Sequence, residues 1–344
     1  MYKPIYTISN NLLTSISQIE AAKQIIENAP LVPAWERRFR QEAEERTVHF
    51  STKIEGNKLD FEETKKIVNG SEVQTFRRRD IQEIINYREV IEFIKTLKKT
   101  KIDKKILLRV HKIVMNNILP KSELGAFRIT EEALIDSSSY EVVFEPIEPE
   151  YLEGEVEDFL SWLNEKANDV HPVIKAGIIC YELVRMHPFT DGNGRTARIL
   201  ATFSLYYDGF DIKRFFSLEE YYDQNLKEYY DAIESVEKND DDLTPWLEFF
   251  TRGLAVELSR IKDKVFDLSR DMKLRKDIGQ VALNERQIEI INFIQDDGMI
   301  RNPDWQDLFP DISDDTILRD LKDLSQKGII KKEGRTKAAR YVFR

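Results

Sequence analysis

His187, Asp191, Arg195 and Arg198 fall within twelve residues, in the run His187-Pro188-Phe189-Thr190-Asp191-Gly192-Asn193-Gly194-Arg195-Thr196-Ala197-Arg198. Their types describe chemistry on a phosphate. Pro188 ends the preceding helix, which puts His187 at its last turn. Gly192 and Gly194 let the backbone fold tightly enough to aim its N–H groups inward, at the positive end of the next helix, and so make an anion site. Arg195 and Arg198, three apart, share a helix face from which two guanidinium forks can each hold a pair of phosphate oxygens. Asp191 is a hard oxygen ligand beside that site, as a Mg²⁺ ion bridging phosphates requires. His187 is the imidazole nearest in sequence and can take a proton from an incoming hydroxyl. Base, metal ligand, anion nest and arginines together describe group transfer from a nucleotide.

Two other readings compete. Gly192 to Ala197 fits G-x-G-x-x-A, the dinucleotide fingerprint, but that fingerprint needs a buried strand just before it, where His-Pro-Phe-Thr-Asp stands. Taken singly, His187 is a structural histidine capping a helix C-terminus, and Asp191 and the arginines form a solvated turn. The concentration of these groups in one run weighs against that. No Walker loop, HExxH or Cys/His metal spacing occurs elsewhere.

The elements that must position this loop read as helices. Apolar residues at three and four spacing (Leu12, Ile16, Ile19; Trp35, Phe39, Ala43) predict helices over 11–29 and 34–54, with Pro30 and Pro33 between them. Further helical runs cover about 60–70, 79–98 and 103–118. From Gly125 to Pro149 the pattern turns β-like, with Ala133-Leu134-Ile135, a Ser137-Ser138-Ser139 turn and Tyr140 to Phe144, which predicts a hairpin. Helical period resumes over 149–163, 173–186, 195–207, 218–237 and 245–268. The charged stretch Asp271 to Asp277 is read as a linker.

Composition agrees. The 344 residues hold 13 glycines, about half the usual share of roughly 7%, and 33% charged residues against a norm of roughly 25%. A charged, helix-rich protein of about two domains is expected, and collagen-like, disulfide-scaffold and low-complexity classes are excluded. The lone Cys180 makes no intramolecular disulfide, and Met1-Tyr2-Lys3-Pro4 lacks the apolar core of a signal peptide, so a cytoplasmic protein is expected. No apolar stretch approaches the roughly 18 residues that cross a bilayer, so no membrane contact is expected.

The net charge of −10 is unevenly placed. The last fourteen residues hold Lys331, Lys332, Arg335, Lys337, Arg340 and Arg344 against Glu333. An acidic body argues against nucleic-acid binding by the whole chain and leaves its C-terminal end as a DNA contact. Residues 284–344 open with Asn284 as a cap for 285–295. Ser313 then caps a helix to Gln326, and Gly328-Ile329-Ile330, a turn at Glu333-Gly334 and Arg340 to Phe343 follow. This piece resembles the winged-helix family. Its recognition helix sets Asp314, Asp315, Asp320 and Asp323 against Arg319, Lys322 and Lys327, a poor balance for phosphate. A protein-binding or dimer-forming wing and a DNA reader both stay open.

The catalytic loop matches the Fic motif, HPFx[DE]GNGRxxR, at every specified position, and the resemblance extends over most of residues 1–254. It includes the Gly125-Ala126-Phe127-Arg128 lead-in to the hairpin and the Ile54-Glu55-Gly56-Asn57 region. The implied fold is mostly α, a helical Fic (Fido) core with a β-hairpin flap, followed here by the small winged helix. The implied division is an N-terminal helical region over 1–101, a core over 102–254, a helical linker over 255–283 and the winged helix over 284–344. The implied reaction transfers AMP from ATP to a Ser, Thr or Tyr hydroxyl of a target protein, and to the enzyme itself. By the same resemblance His187 is the general base, Asp191 the Mg²⁺ ligand, and Gly192, Asn193 and Gly194 the cradle of the α- and β-phosphates, which Thr196 and Ala197 continue. Arg195 would hold the β-phosphate region, Arg198 the γ-phosphate, and Phe189 would anchor the loop. The hairpin would align the target by strand addition, with Glu141, Val142, Val143 and Phe144 nearest the nucleotide. Tyr229 and Tyr230 would contact the adenine or, equally, belong to the core. A homodimer is also implied.

Ser51-Thr52-Lys53-Ile54-Glu55-Gly56 matches the family's inhibitory pattern [ST]-x-x-x-E-[GN], within a helix spanning about 45–57. Ser51 and Glu55 share a helix face, and Gly56-Asn57 stops the helix. A carboxylate there is opposed by the helix dipole, typically by about 0.3 to 1 kcal/mol, and gains from a cationic partner outside the helix. Arg198 is the implied partner, which would take the γ-phosphate's guanidinium and hold ATP misaligned. Alternatives are a nucleotide-sensing DNA-binding regulator, a Fic enzyme using another nucleotide or transferring phosphate, and one in which Glu55 supports removal of AMP.

Overall fold

Local signals in the sequence set many of the helix ends. The computed structural model describes residues 2–29, 31, 33–97, 101–131, 134–135, 142–144, 146–277, 283–334 and 339–343. The order is α1 (Asn10–Asn28), α2 (Pro33–Ile54), α3 (Phe61–Val68), α4 (Arg78–Thr96), α5 (Lys104–Val114), β1 (Leu134–Ile135), β2 (Val142–Phe144), α6 (Pro149–Glu165), α7 (Pro172–Met186), α8 (Asn193–Tyr207), α9 (Glu219–Gln224), α10 (Leu226–Lys238), α11 (Thr244–Asp277), α12 (Glu285–Asp297), α13 (Asn302–Leu308), α14 (Asp314–Gln326), β3 (Ile330–Glu333) and β4 (Arg340–Phe343). Asp60 and Glu63 form a capping box on α3, Asp103 caps α5, and proline opens α6 and α7. The mostly α fold expected from composition is what the chain adopts.

The described residues divide into two units, Met1–Asn28 with Phe39–Asp263, and Ala29–Arg38 with Lys264–Arg344. The expected boundary at 254 lies inside α11, because no glycine or proline interrupts the helix between Gly253 and Asp277.

In the first unit α7 is the central helix. It is buried on almost every face, from Val173 to Met186, and packs along α8. Gly177 lets α11 approach it closely: a Cβ there would lie 2.8 Å from Leu247 Cδ2, and Trp246 Nε1 donates to the Gly177 carbonyl at 2.8 Å. β1 and β2 pair antiparallel, Leu134 with Phe144 and Ile135 with Val142. Ala133, the Ser137–Ser139 turn, Tyr140 and Glu141 lie outside the described residues.

Two helices depart from the spans their periodicity suggests. The expected 218–237 helix is divided at Asn225, whose side chain donates to the Tyr221 carbonyl at 2.9 Å and so competes with the backbone ladder. The helix expected to reach 118 stops at Val114, and Asn117 follows in the left-handed region at φ 58°, which asparagine tolerates.

In the second unit α12, α13 and α14 enclose a core of Ile290, Ile294, Trp305, Leu321 and Tyr341, and β3 pairs antiparallel with β4. Asn284 caps α12 through a box with Gln287. Ser313 stands at the N-cap of α14, but its hydroxyl meets Thr316 Oγ1 at 2.9 Å instead of a backbone N–H. Part of the acidity of α14 is structural: Asp320 is buried and binds Asn284 and Arg286, each at 2.8 Å, and Asp323 takes Gln287 Nε2 at 2.7 Å.

Candidate active site

The turn between α7 and α8 is shaped by its own side chains. His187 ends α7 in the left-handed conformation, φ 47° and ψ 58°, a strained state for a non-glycine residue. Arg128 holds it there: Nε donates to the His187 carbonyl at 2.7 Å, and the Arg128 N–H donates to the Pro188 carbonyl at 3.0 Å. The same guanidinium bonds the carbonyls of Thr130, at 3.0 Å, and Ile147, so one buried side chain ties both legs of the hairpin to the loop.

Phe189 is fully buried and stacks on His111 with ring centroids 3.7 Å apart and planes 2° apart. His111 accepts from the Gly125 N–H at Nδ1, 3.0 Å, so Nε2 carries the proton that goes to the Asp191 carbonyl at 3.1 Å. Burial lowers its pKa to about 4, which keeps it neutral. Asn193 staples the turn from the other side, accepting from the Phe189 N–H at 2.9 Å and donating to the Phe189 carbonyl at 2.6 Å. Gly192 must be glycine: its φ is +80°, and a Cβ would lie 2.6 Å from Met115 Sδ.

These constraints set one wall of a cleft of about 650 Å³, bordered by His187, Thr190, Asp191, Gly192, Asn193, Gly194 and Arg198. The first N–H groups of α8 have no partner within the helix, and no side chain caps them. Tyr181, Tyr230 and Ile233 border the cleft with apolar surface suited to a base. Tyr229 also borders it but is 2% exposed, its ring 4.9 Å from Tyr222 and 5.8 Å from Trp246. Burial lowers the His187 pKa, which a backbone hydrogen bond to Val184 partly opposes.

Arg198 and Arg195 have different partners. Arg198, 2% exposed, donates from Nε to Ser51 Oγ at 3.0 Å, and from Nη2 to the Ser51 carbonyl and Glu55 Oε1, both at 2.8 Å. Burial opposes its charge, and Glu55, Tyr229 and Tyr87 together more than offset that, so its pKa rises. The Glu55 carboxylate lies against the start of α8: a Cβ on Gly194 would collide with Oε1 and lie 3.2 Å from Cδ. Gly56, at φ 93°, turns the chain just past it.

Arg195 makes its own set of contacts. Its side chain is 2% exposed and ion-paired with Glu83 at 3.1 Å and Asp191 at 3.0 Å. Thr196 and Ala197 are likewise buried beneath the helix start. Val142, Val143 and Phe144 form β2, and Glu141 lies outside the described residues.

Sequence reasoning misses His111, Glu83, Arg79 and Asn57 as site residues. Glu83 is a buried hub that takes Asn57 Nδ2 at 3.0 Å, Arg79 Nε at 3.2 Å and the Arg195 ion pair. Only the four-residue spacing of Arg79 and Glu83 is visible beforehand. Among the described residues no cluster of three or more His, Cys, Asp or Glu could enclose a metal. A Mg²⁺ ion on Asp191 would complete its shell with phosphate oxygens and water, the arrangement it prefers, and so the donor set fits.

An uncapped helix start, a buried arginine and a histidine thus meet around one cleft on an α-helical scaffold. Residues 101–205 match the Fic/DOC family, and the chain carries a Fic domain. It is 32% identical over 169 residues to the protein adenylyltransferase fic-1 of Caenorhabditis elegans, covering 47% of this chain and 32% of that protein. It is 31% identical over 217 residues to the protein adenylyltransferase Fic of Nematostella vectensis, covering 60% of this chain and 45% of that protein. The chain thus spans less than half the length of these relatives. The crystal structure of a Fic family protein from Desulfovibrio desulfuricans G20 superposes with a TM-score of 0.70 at 22% identity, over 100% of this chain and 98% of that one. A structure of Fic-1 from C. elegans (aa134–508) gives 0.60 at 24%, over 75% and 74%. Both show the fold.

Proposed function

We propose that this chain is a protein adenylyltransferase that moves AMP from ATP to a hydroxyl of a target protein and of itself, and that Glu55 holds it back. One observation carries the reading. The carboxylate of Glu55, brought from another element, stands at the start of α8 beside Gly194 and bonds Arg198 at 2.8 Å, an anion in an anion site.

The target hydroxyl oxygen bonds to the α-phosphorus, the bond from that phosphorus to the β-phosphate oxygen breaks, and pyrophosphate leaves. The hydroxyl proton passes to the His187 imidazole, which burial keeps neutral and ready to accept it. The amides at the start of α8 hold phosphate oxygens, and Arg198, once released by Glu55, meets the γ-phosphate. Asp191 would hold a Mg²⁺ ion, whose charge would offset that of the leaving group. The hairpin would receive the target as an added strand. The second unit would serve as a winged helix with a protein or DNA partner.

Incubation with α-labelled ATP and Mg²⁺ tests this. Glu55→Gly should raise self-labelling, and adding His187→Ala should abolish it. Unchanged labelling in the first variant removes the brake, and retained labelling in the second removes the base. Intact-mass shifts across several nucleotides identify the base transferred.

A further inference from the structure

Asp191 is bracketed by two arginines that differ in one respect. Its Oδ1 accepts from the Gly192 N–H at 2.5 Å and from Arg195 Nη2 at 3.0 Å, while its Oδ2 accepts from Arg79 Nη2 at 2.6 Å. Among the described residues Arg79 is the one partner of Oδ2. Arg195 is 2% exposed and also ion-paired with the buried Glu83, whereas Arg79, at the start of α4, is 61% exposed and its head can move into water at little cost.

We infer that the Arg79 guanidinium is a resident cation on the metal-binding oxygen of Asp191, one that a divalent ion arriving with the nucleotide must displace. This rests on the reading of Asp191 as metal ligand given above. Arg195 and the Gly192 amide fix the carboxylate's orientation through Oδ1, and Arg79 covers the oxygen that a metal would use. Two like-signed exchanges then prepare the cleft: a phosphate replaces the Glu55 carboxylate, and a metal ion replaces the Arg79 guanidinium. The two sites are joined through Glu83, which binds Arg79 at 3.2 Å and, at 3.0 Å, the Asn57 side chain that follows the Glu55 turn. Displaced from Asp191, Arg79 keeps its contact with Glu83, so the exchange breaks one bond and leaves the hub in place.

The test is binding, free of turnover. The full chain is titrated calorimetrically with α,β-methylene-ATP in Mg²⁺ and in EDTA, and the ratio of the two affinities measures metal coupling. In Arg79→Ala that ratio should rise roughly two- to fivefold over wild type, the scale of a half-exposed ion pair. Arg79→Lys, which keeps the charge, should stay near wild type, and Asp191→Ala should bring the ratio to its lowest value. Thermal unfolding of each variant verifies that it is folded. If Arg79→Ala leaves the ratio unchanged while Asp191→Ala lowers it, Arg79 is not the displaced cation and Asp191 remains the ligand. If Asp191→Ala also leaves it unchanged, the ligand assignment falls and the inference with it.

Discussion

Replacing Glu55 with glutamine keeps the shape of the suspected brake and removes its charge. A hydrogen bond to a charged group is worth about 1.5 to 3 kcal/mol, and a neutral one about half that. Arg198 is 2% exposed and Glu55 27% exposed, so the pair is partly screened by water and the low end applies. Glutamine should therefore cost the closed state about 0.75 kcal/mol, which is roughly a three- to fourfold gain in the fraction open to a correctly placed triphosphate. Glycine removes the whole contact, about 1.5 kcal/mol or roughly tenfold. Arg198 keeps both bonds to Ser51 in either variant, which limits the damage. Thermal unfolding of Glu55→Gln should fall by about 2 to 4 °C per kcal/mol lost. Initial rates of self-labelling with α-labelled ATP should rank glycine above glutamine above wild type. Equal rates for glutamine and glycine, or a glutamine rate equal to wild type despite a lowered unfolding temperature, would refute the ion pair as the source of inhibition.

The His187 pKa is lowered chiefly by burial, and the neutral form is the working base, so the acid limb of self-labelling should lie below the ordinary histidine value of about 6.5. Glu55 is one of the charges holding that pKa up, so the limb measured in Glu55→Gly should shift lower still; a limb above 6.5 would contradict the burial argument. Asn193→Ala strips the Phe189 N–H and carbonyl of their buried partner, at about 2 to 4 kcal/mol, read as a lowered denaturation midpoint. An unchanged midpoint would show that water replaces the amide.

The loop is legible in the sequence because its chemistry is contiguous: the base, the carboxylate, two glycines and Arg198 are adjacent, and helix 3.6-periodicity places them. The Ser51 to Glu55 spacing is legible for the same reason. His111 is not, because its partners lie 14 and 80 residues away and, alone on an amphipathic helix, it reads as ordinary core. The fate of Arg195 is hidden similarly. Its i, i+3 relation to Arg198 places both on one helix face, but only tertiary packing brings Glu83 to it. The hairpin is visible as alternation around 134–144, while the break at Asn225 depends on a local side-chain bond that competes with a strong apolar period.

Arg128 grips the chain at Thr130 and at Ile147 and fastens both to the carbonyl of His187. The two carbonyls are thereby fixed relative to His187. Lengthening a loop between fixed ends costs only about 0.6 kcal/mol per doubling. Changes of chain length between Thr130 and Ile147 should therefore leave the His187 backbone where it is.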